Sequence, residues 1–257
     1  MICPYVIWPL RFSPNAPAMI DFYTRLGLHK SFSHDGGTFA TFQGRSGTLG
    51  VHDANNTEAG VVPQHTALNL ATTDVVQAAE ELVELGHSVK VWDETYGKQG
   101  VVASRDGRVI GLNGDAQEDL YGGYRTHPEV AAPSLDVVAV CVTPQMKAEA
   151  AWFASFGFVA SSYDDPWWIG LRAGERSGVI GIHAGEVAAD TARDADDDLF
   201  GPAYEVRIGF ETHEPLEVLD ARLRAAGFET TVVTEGAPHL ELTDPDGEHL
   251  EIHPAAG

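Results

Sequence analysis

The chain has 257 residues, in which 16 Lys and Arg stand against 38 Asp and Glu, so its formal net charge at pH 7 is −22. Such a charge disfavours nucleic acids and anionic membranes as partners, and it would attract a cationic small molecule. The two cysteines, Cys3 and Cys141, do not suggest a disulfide scaffold, and no apolar run reaches the length of a membrane span. We therefore expect a cytoplasmic protein without a signal peptide, and the sequence leaves open whether it forms a homodimer.

The first predicted elements are a strand, a helix and three more strands. Ile7, Leu10 and Phe12 mark the first strand, and a capping turn at Ser13-Pro14-Asn15 begins a helix that ends at Gly27. Glycine-containing turns then separate the strands LHKSFSH, TFATFQ and TLGVH. This stretch therefore predicts a βαβββ module.

The same order of elements recurs along the chain. A strand is predicted from His65 to Ala71, and Asp74 caps a helix that ends at Gly86. Residues 13–28 align without gaps with residues 143–158, and residues 72–86 match residues 212–227 with one insertion. The order is A-B-A-B, which indicates one supersecondary unit used four times.

The module boundaries follow from these matches. Four similar segments close the modules: LGVH at 49–52, IGLN at 110–113, IGIH at 180–183 and LEIH at 250–253. We predict one domain over 1–115, with modules 1–62 and 63–115, and a second over 134–257, with modules 134–200 and 201–257. The stretch 116–133 is rich in Gly, Pro and charge and is predicted to be a linker.

The repeat also predicts the fold class, which is α+β. One helix protects one face of a βαβββ sheet, so the other face must meet a second module or enclose a cleft. We expect each domain to be an eight-stranded curved mixed sheet with two helices, and each to enclose a cleft.

Three motifs resemble a known family. They are FYTRLGL at 22–28, WFASFGF at 152–158 and DPDGEHLEI at 244–252. The chain is similar over nearly its whole length to the vicinal oxygen chelate superfamily, which includes glyoxalase I, bleomycin-resistance proteins and extradiol dioxygenases. The resemblance implies two tandem domains of this fold.

The resemblance also implies where a metal would bind, since enzymes of the superfamily place metal ligands on the first and last strands of each module. The first-strand positions here are Trp8, Ala67, Val138 and Arg207, and the last-strand positions are Gly50, Gly111, Gly181 and Glu251. Only Glu251 ligates a divalent metal well, whereas such a site needs three or four O or N ligands. We therefore expect no metal at these positions, and we expect Arg207 and Glu251 to form an ion pair.

Aromatic and imidazole side chains are the alternative lining of the clefts. Three histidines follow the last-strand position by two residues and so share its face, and in the Trp167-Trp168 pair strand alternation turns one indole inward. The predicted ligand-binding residues are Trp8, His52, His65, Trp92, Trp168, His183, Arg207, Glu251 and His253. His65 and Glu251 are the fallback metal ligands.

Two functions stay open at this point. The first is a metal-independent protein of the bleomycin-resistance type that sequesters an aromatic or cationic small organic molecule, without a cofactor, and that would act in antibiotic resistance. The second is a metal-dependent lyase, isomerase or dioxygenase with a displaced set of ligands for a divalent metal. The sequence contains neither a GxSxG motif nor a phosphate-binding loop.

Overall fold

A computed structural model describes residues 4–56, 62–94, 97–114, 122–129, 131–160, 164–186 and 203–255. The four predicted modules are present, and the α+β class is confirmed. None of the helices in these ranges is long and apolar enough to span a membrane.

Among the described residues, each module contributes one α-helix. The helices are α1 (Ala16–Leu26), α2 (Val75–Glu84), α3 (Met146–Phe153) and α4 (Leu216–Ala225). The predicted caps of the first two helices are confirmed, because the Asn15 side chain accepts from Ala18 N and the Asp74 side chain accepts from Val76 N. Gly27 ends α1 with a φ of 103°, a left-handed conformation that glycine adopts without strain.

The strands of the first half follow the predicted segments closely. Module 1 contains β1 (Val6–Ile7), β2 (Leu10–Ser13), β3 (His29–His34), β4 (Phe39–Gln43) and β5 (Thr48–Asp53). Module 2 contains β6 (Thr66–Ala67), β7 (Asn69–Ala71), β8 (Val89–Glu94), β9 (Gly97–Ala103) and β10 (Val109–Asn113). The first strand of module 1 is interrupted at Pro9, which has no N–H to donate to a ladder.

The second half repeats the arrangement after one further strand. β11 (Tyr124–Thr126) lies in the predicted linker, so part of 116–133 is a strand, which pairs antiparallel with β3. Module 3 contains β12 (Leu135–Thr143), β13 (Val159–Ala160), β14 (Trp168–Arg172) and β15 (Val179–Ala184). Module 4 contains β16 (Arg207–Thr212), β17 (Thr231–Val233), β18 (His239–Thr243) and β19 (His249–Pro254).

The described strands form three sheets. Their orders are β1-β7-β10-β9-β8, β11-β3-β4-β5-β2-β6 and β13-β14-β15-β12-β16-β19-β18-β17. In modules 1, 2 and 4 the first strand pairs in parallel with the last strand. The second half thus has the predicted eight-stranded sheet, whereas the first half has two sheets of five and six strands because its first strands are broken.

The chain forms two compact units. Compact unit 1 comprises Met1–Pro9, Ala67–Gly122 and Ala139–Arg207, and compact unit 2 comprises Leu10–Thr66, Gly123–Val138 and Ile208–Gly257. Each unit combines segments of both halves. The division into domains 1–115 and 134–257 therefore stays a prediction.

Candidate functional site

In compact unit 2, one face of the module 1 sheet is lined by half-exposed side chains. Strand pairing sets this face, because residues opposite one another on neighbouring strands point the same way. We call it the module 1 face. It carries Leu10, Phe12, His29, Phe32, His34, Phe39, Thr41, Gln43, Thr48, Gly50, His52, Tyr124 and Thr126.

Aromatic rings form a continuous wall along the module 1 face. The ring of Phe12 lies 5.7 Å from His52 and 6.3 Å from His65, measured between centroids. Phe32 and Tyr124 stack at 5.2 Å with their planes 8° apart. These rings are half-buried, so they are held in place and still present surface to a ligand.

Two imidazoles on this wall have defined tautomers when neutral. His52 Nδ1 lies 2.9 Å from the carbonyl oxygen of Asp53, which can only accept, so Nδ1 carries the proton and Nε2 is an acceptor. His34 Nδ1 accepts from the backbone N–H of Gly36 at 3.2 Å, so its Nε2 carries the proton. The face therefore offers one imidazole acceptor and one imidazole donor.

A buried ion pair lies on the opposite face of this sheet and links it to module 4. Arg11 on β2 is 5% exposed, and its Nε lies 3.1 Å from the carboxylate of Asp246 in the turn before β19. The Ser13 hydroxyl donates to the same carboxylate at 2.9 Å, and Gln64 Nε2 donates to the Asp246 carbonyl at 2.7 Å. The DPDG turn that suggested the superfamily thus anchors module 4 to module 1 inside compact unit 2.

In module 2 the last-strand ligand position is covered by an amide. A Cβ added at Gly111 would lie 1.8 Å from Asn69 Oδ1, so the Asn69 side chain takes the space of a larger residue. The backbone N–H of Trp8 donates to the Asn69 carbonyl at 2.7 Å. Trp92 is half-exposed on β8, where its indole N–H donates to Glu94 at 2.6 Å.

In module 3 the corresponding position is covered by an indole. A Cβ at Gly181 would lie 1.9 Å from Trp168 Cη2, whereas Trp167 is 66% exposed, so the alternation of the two tryptophans is confirmed. Trp168 is also the strand partner of His183, whose Nδ1 donates to the Ala184 carbonyl at 2.7 Å. Trp168 therefore fills this module's ligand position.

Module 4 carries carboxylates and imidazoles on one sheet face, which we call the module 4 face. It comprises Glu211, His239, Glu241, Thr243, His249, Glu251 and His253. The His253 ring lies 2.8 Å from the Glu251 carboxylate and stacks on His239 at 4.9 Å. Both His239 and His249 approach Glu241, at 3.3 Å and 3.4 Å.

The charges of the module 4 face shift two pKa values. Partial burial favours the neutral carboxyl of Glu251, but the hydrogen bond from His253 and the nearby imidazoles outweigh burial and lower its pKa. Partial burial opposes protonation of His239, but its bonds to the Ala237 carbonyl and to Glu241 outweigh burial and raise its pKa.

The predicted ion pair between Arg207 and Glu251 is wrong. Both side chains are exposed, and among the ion pairs of the described residues Glu251 is joined to His253. The reason is local: His253 follows Glu251 by two residues on the same strand face, so the imidazole reaches the carboxylate without any long side chain being ordered.

The residues at the superfamily's ligand positions do not fit a metal. Asn69 and Trp168 occupy the space at two of the last-strand positions, and Glu251 is the single good ligand among the eight. The fallback ligands do not assemble a site either, because His65 stacks on Phe12 while Glu251 bonds His253. Within the described ranges, no group of three His, Cys, Asp or Glu side chains is placed to hold a metal ion.

The sequence predicted two residues of the aromatic wall, His52 and His65, as ligand-binding, and it missed the rest of the wall. The residues overlooked are Phe12, His29, Phe32, His34, Phe39 and Tyr124. Alternation in TFATFQ places Phe39 on the exposed face and could have identified it. Tyr124 could not have been found this way, since it lies in a stretch predicted to be a linker.

Comparisons with known proteins give the fold. No protein-family model matches the chain, and no curated protein matches it. Among solved structures, a variant of homoprotocatechuate 2,3-dioxygenase from B. fuscum is 15% identical with a TM-score of 0.59, covering 100% of this chain and 72% of that one. The Arthrobacter globiformis homoprotocatechuate 2,3-dioxygenase is 14% identical with a TM-score of 0.57, covering 99% and 80%.

A third solved structure extends the same likeness. A fusion of a xylose isomerase-like TIM barrel with 4-hydroxyphenylpyruvate dioxygenase is 15% identical with a TM-score of 0.61, and the match covers 100% of this chain and 50% of that protein. Another B. fuscum structure in this group is described as an extradiol ring-cleaving dioxygenase, at 17% identity. At these identities the likeness establishes the fold, whereas activity depends on the residues of the site.

Proposed function

We propose that this chain, which has the fold of the vicinal oxygen chelate superfamily, binds a small aromatic molecule on the module 1 face without a metal ion. The observation that carries the proposal is the wall of half-exposed rings around Phe12, His52 and Phe39 on the face where the superfamily places its clefts. Its role would be sequestration, as in proteins of the bleomycin-resistance type.

The chemistry of the wall supports an aromatic ligand. Flat rings gain both apolar burial and stacking against Phe and His, and such ring pairs contribute roughly 0.5–1.5 kcal/mol beyond area burial. The wall needs no metal to orient a ligand, because His52 Nε2 accepts a hydrogen bond and His34 Nε2 donates one.

The test is calorimetric titration of the purified protein with 2-naphthylmethanol, an uncharged aromatic probe, with and without EDTA. We expect the same Kd in both conditions, and we expect Phe12→Ala to raise Kd about tenfold because it removes the ring at the centre of the wall. Trp167→Ala is the matched control, since this exposed ring lies in module 3 and its loss should leave Kd unchanged.

Two results would contradict the proposal. Binding that disappears with EDTA would show that a metal holds the ligand. Equal effects of Phe12→Ala and Trp167→Ala would show that the probe adsorbs on exposed rings in general rather than on the module 1 face.

The second candidate is a metal-dependent lyase, isomerase or dioxygenase with displaced ligands. Its support is the module 4 face, where Glu251 stands at a superfamily ligand position beside His253 and His239, together with the likeness to structures described as dioxygenases. Elemental analysis of gently purified protein separates the two candidates. Stoichiometric Fe, Mn, Ni or Zn that is lost in Glu251→Gln and His253→Ala, but retained in Glu217→Gln on α4, would favour the enzyme.

A further inference from the structure

The module 1 face differs in charge from the rest of this acidic chain. Three histidines lie on it, His29, His34 and His52, and a fourth, His65, stacks on Phe12 beside it. The described strands β2, β3, β4, β5 and β11 place no carboxylate, lysine or arginine on this face. Polar donors complete it, among them the Gln43 amide and the Thr41 hydroxyl.

The charged residues of the same strands lie elsewhere. Arg11 and Lys30 point to the opposite face, because Lys30 pairs with buried Phe42 before the bulge in β3. Asp35 and Arg125 neutralise each other in an exposed ion pair at the end of β3. On the described strands, no anionic group therefore stands on the wall to receive a cationic ligand.

From this we propose that the ligand of the module 1 face is a planar aromatic ring bearing an acidic substituent, such as a carboxylate, and not an aromatic cation. This inference rests on the proposed function, whose site it specifies. A bound carboxylate needs a hydrogen-bond donor, and the His34 Nε2–H provides one beside the wall, where the His34 ring lies 5.0 Å from the ring of Tyr124. An ammonium group would gain cation–π contact with the rings, but it would lose its hydration without gaining a carboxylate partner.

The net charge of −22 does not reverse this preference. At physiological ionic strength the Debye length is about 8 Å, so exposed carboxylates farther away than this are largely screened. Hydrogen-bond donors within contact distance of the ligand then decide which substituent is accepted.

The experiment compares three probes that share one ring system: 2-naphthoate, 2-naphthylmethanol and 2-naphthylmethylammonium. Calorimetric titration at pH 7.5 and physiological ionic strength should give a Kd for the naphthoate about tenfold lower than that for the ammonium probe, with the alcohol between them. The His34→Phe variant keeps a ring but removes the donor, so it should raise the naphthoate Kd about fivefold.

Two matched variants make the result specific. His52→Phe removes an acceptor rather than a donor, so the naphthoate Kd should change by less than about twofold. His239→Phe, on the module 4 face, should leave all three constants unchanged. If the three probes bind equally and Phe12→Ala weakens the binding of each, the inference is overturned and the proposed function stands. Tighter binding of the ammonium probe than of the naphthoate would have the same consequence. Failure of all three probes to bind would instead overturn the proposed function.

Discussion

The faces of modules 1 and 4 occupy equivalent places in the repeat, yet they carry opposite chemistry. The module 1 face joins aromatic rings to imidazoles and has Gly50 at the last-strand position. The module 4 face has Glu251 at that position and alternates carboxylates with imidazoles, which bond one another. One face is thus suited to a flat organic ligand, and the other satisfies its polar groups internally.

This difference shows how one fold holds different sites. In every module the sheet presents the same register positions, while two or three side chains decide what can bind there. Modules 2 and 3 illustrate a third outcome, because Asn69 and Trp168 lie across the glycines of their last strands. A face can therefore be open, internally paired or filled without a change of topology.

The largest expected effect on stability concerns the buried ion pair between Arg11 and Asp246, which joins modules 1 and 4. Replacing Asp246 with Ala would leave Arg11 buried and poorly paired, since the remaining carboxylate, Asp244, lies 3.7 Å away. We expect a loss of about 3 kcal/mol in the free energy of unfolding, measured by urea denaturation. Asp21→Ala is the control, because it breaks the exposed Asp21–Arg25 pair, and it should cost about 0.5 kcal/mol or less. Equal losses in the two variants would show that the buried pair does not hold modules 1 and 4 together.

A smaller loss of stability is expected where a side chain fills the sheet face, as Trp168 does over Gly181 in module 3. The Gly181→Ala variant forces a methyl group against Trp168, so we expect a loss of about 2 kcal/mol and a shift in tryptophan emission as the indole is displaced. Gly174→Ala is the matched control, since a Cβ there has nothing within 4 Å. If Gly181→Ala has the stability and emission of the control, Trp168 does not cover the ligand position in solution.

The smallest effect concerns protonation of the module 4 face. The folded-state pKa of His239 is raised, so its stabilising effect is complete below about pH 6.5 and is lost as the pH rises through the folded pKa. The folded-state pKa of Glu251 is lowered, so its effect is complete above about pH 4.5 and is lost as the pH falls through the folded pKa. Together they stabilise the fold most between about pH 4.5 and 6.5.

Nuclear magnetic resonance titration of the His239 ring checks this coupling. The Glu241→Gln variant should lower the midpoint towards the ordinary histidine value, because it removes the charge that favours the imidazolium. Glu217→Gln on α4 should leave the midpoint in place. A midpoint below about 6.5 in the unmodified protein would contradict the assignment of charges on this face.

Local sequence patterns were sufficient for the modules and their helices. The side chains of Asn15 and Asp74 cap α1 and α2 as predicted, and Gly27 ends α1, because capping and helix termination depend on a few neighbouring residues. Strand alternation likewise predicted the side of the sheet on which His52 lies and the opposite orientation of Trp167 and Trp168, and the four-fold repeat predicted the fold class.

Only the tertiary structure decided which of these side chains meet. The position of the Trp168 ring over Gly181, the choice of His253 rather than Arg207 as the partner of Glu251, and the pairing of Tyr124 with His34 depend on strand register and rotamers. The alternation of apolar and polar residues predicts the face of a strand on which a side chain lies. It predicts neither which strand pairs with that strand nor which of several side chains binds a given carboxylate. These are decided by packing between residues far apart in the chain, about which a local pattern carries no signal.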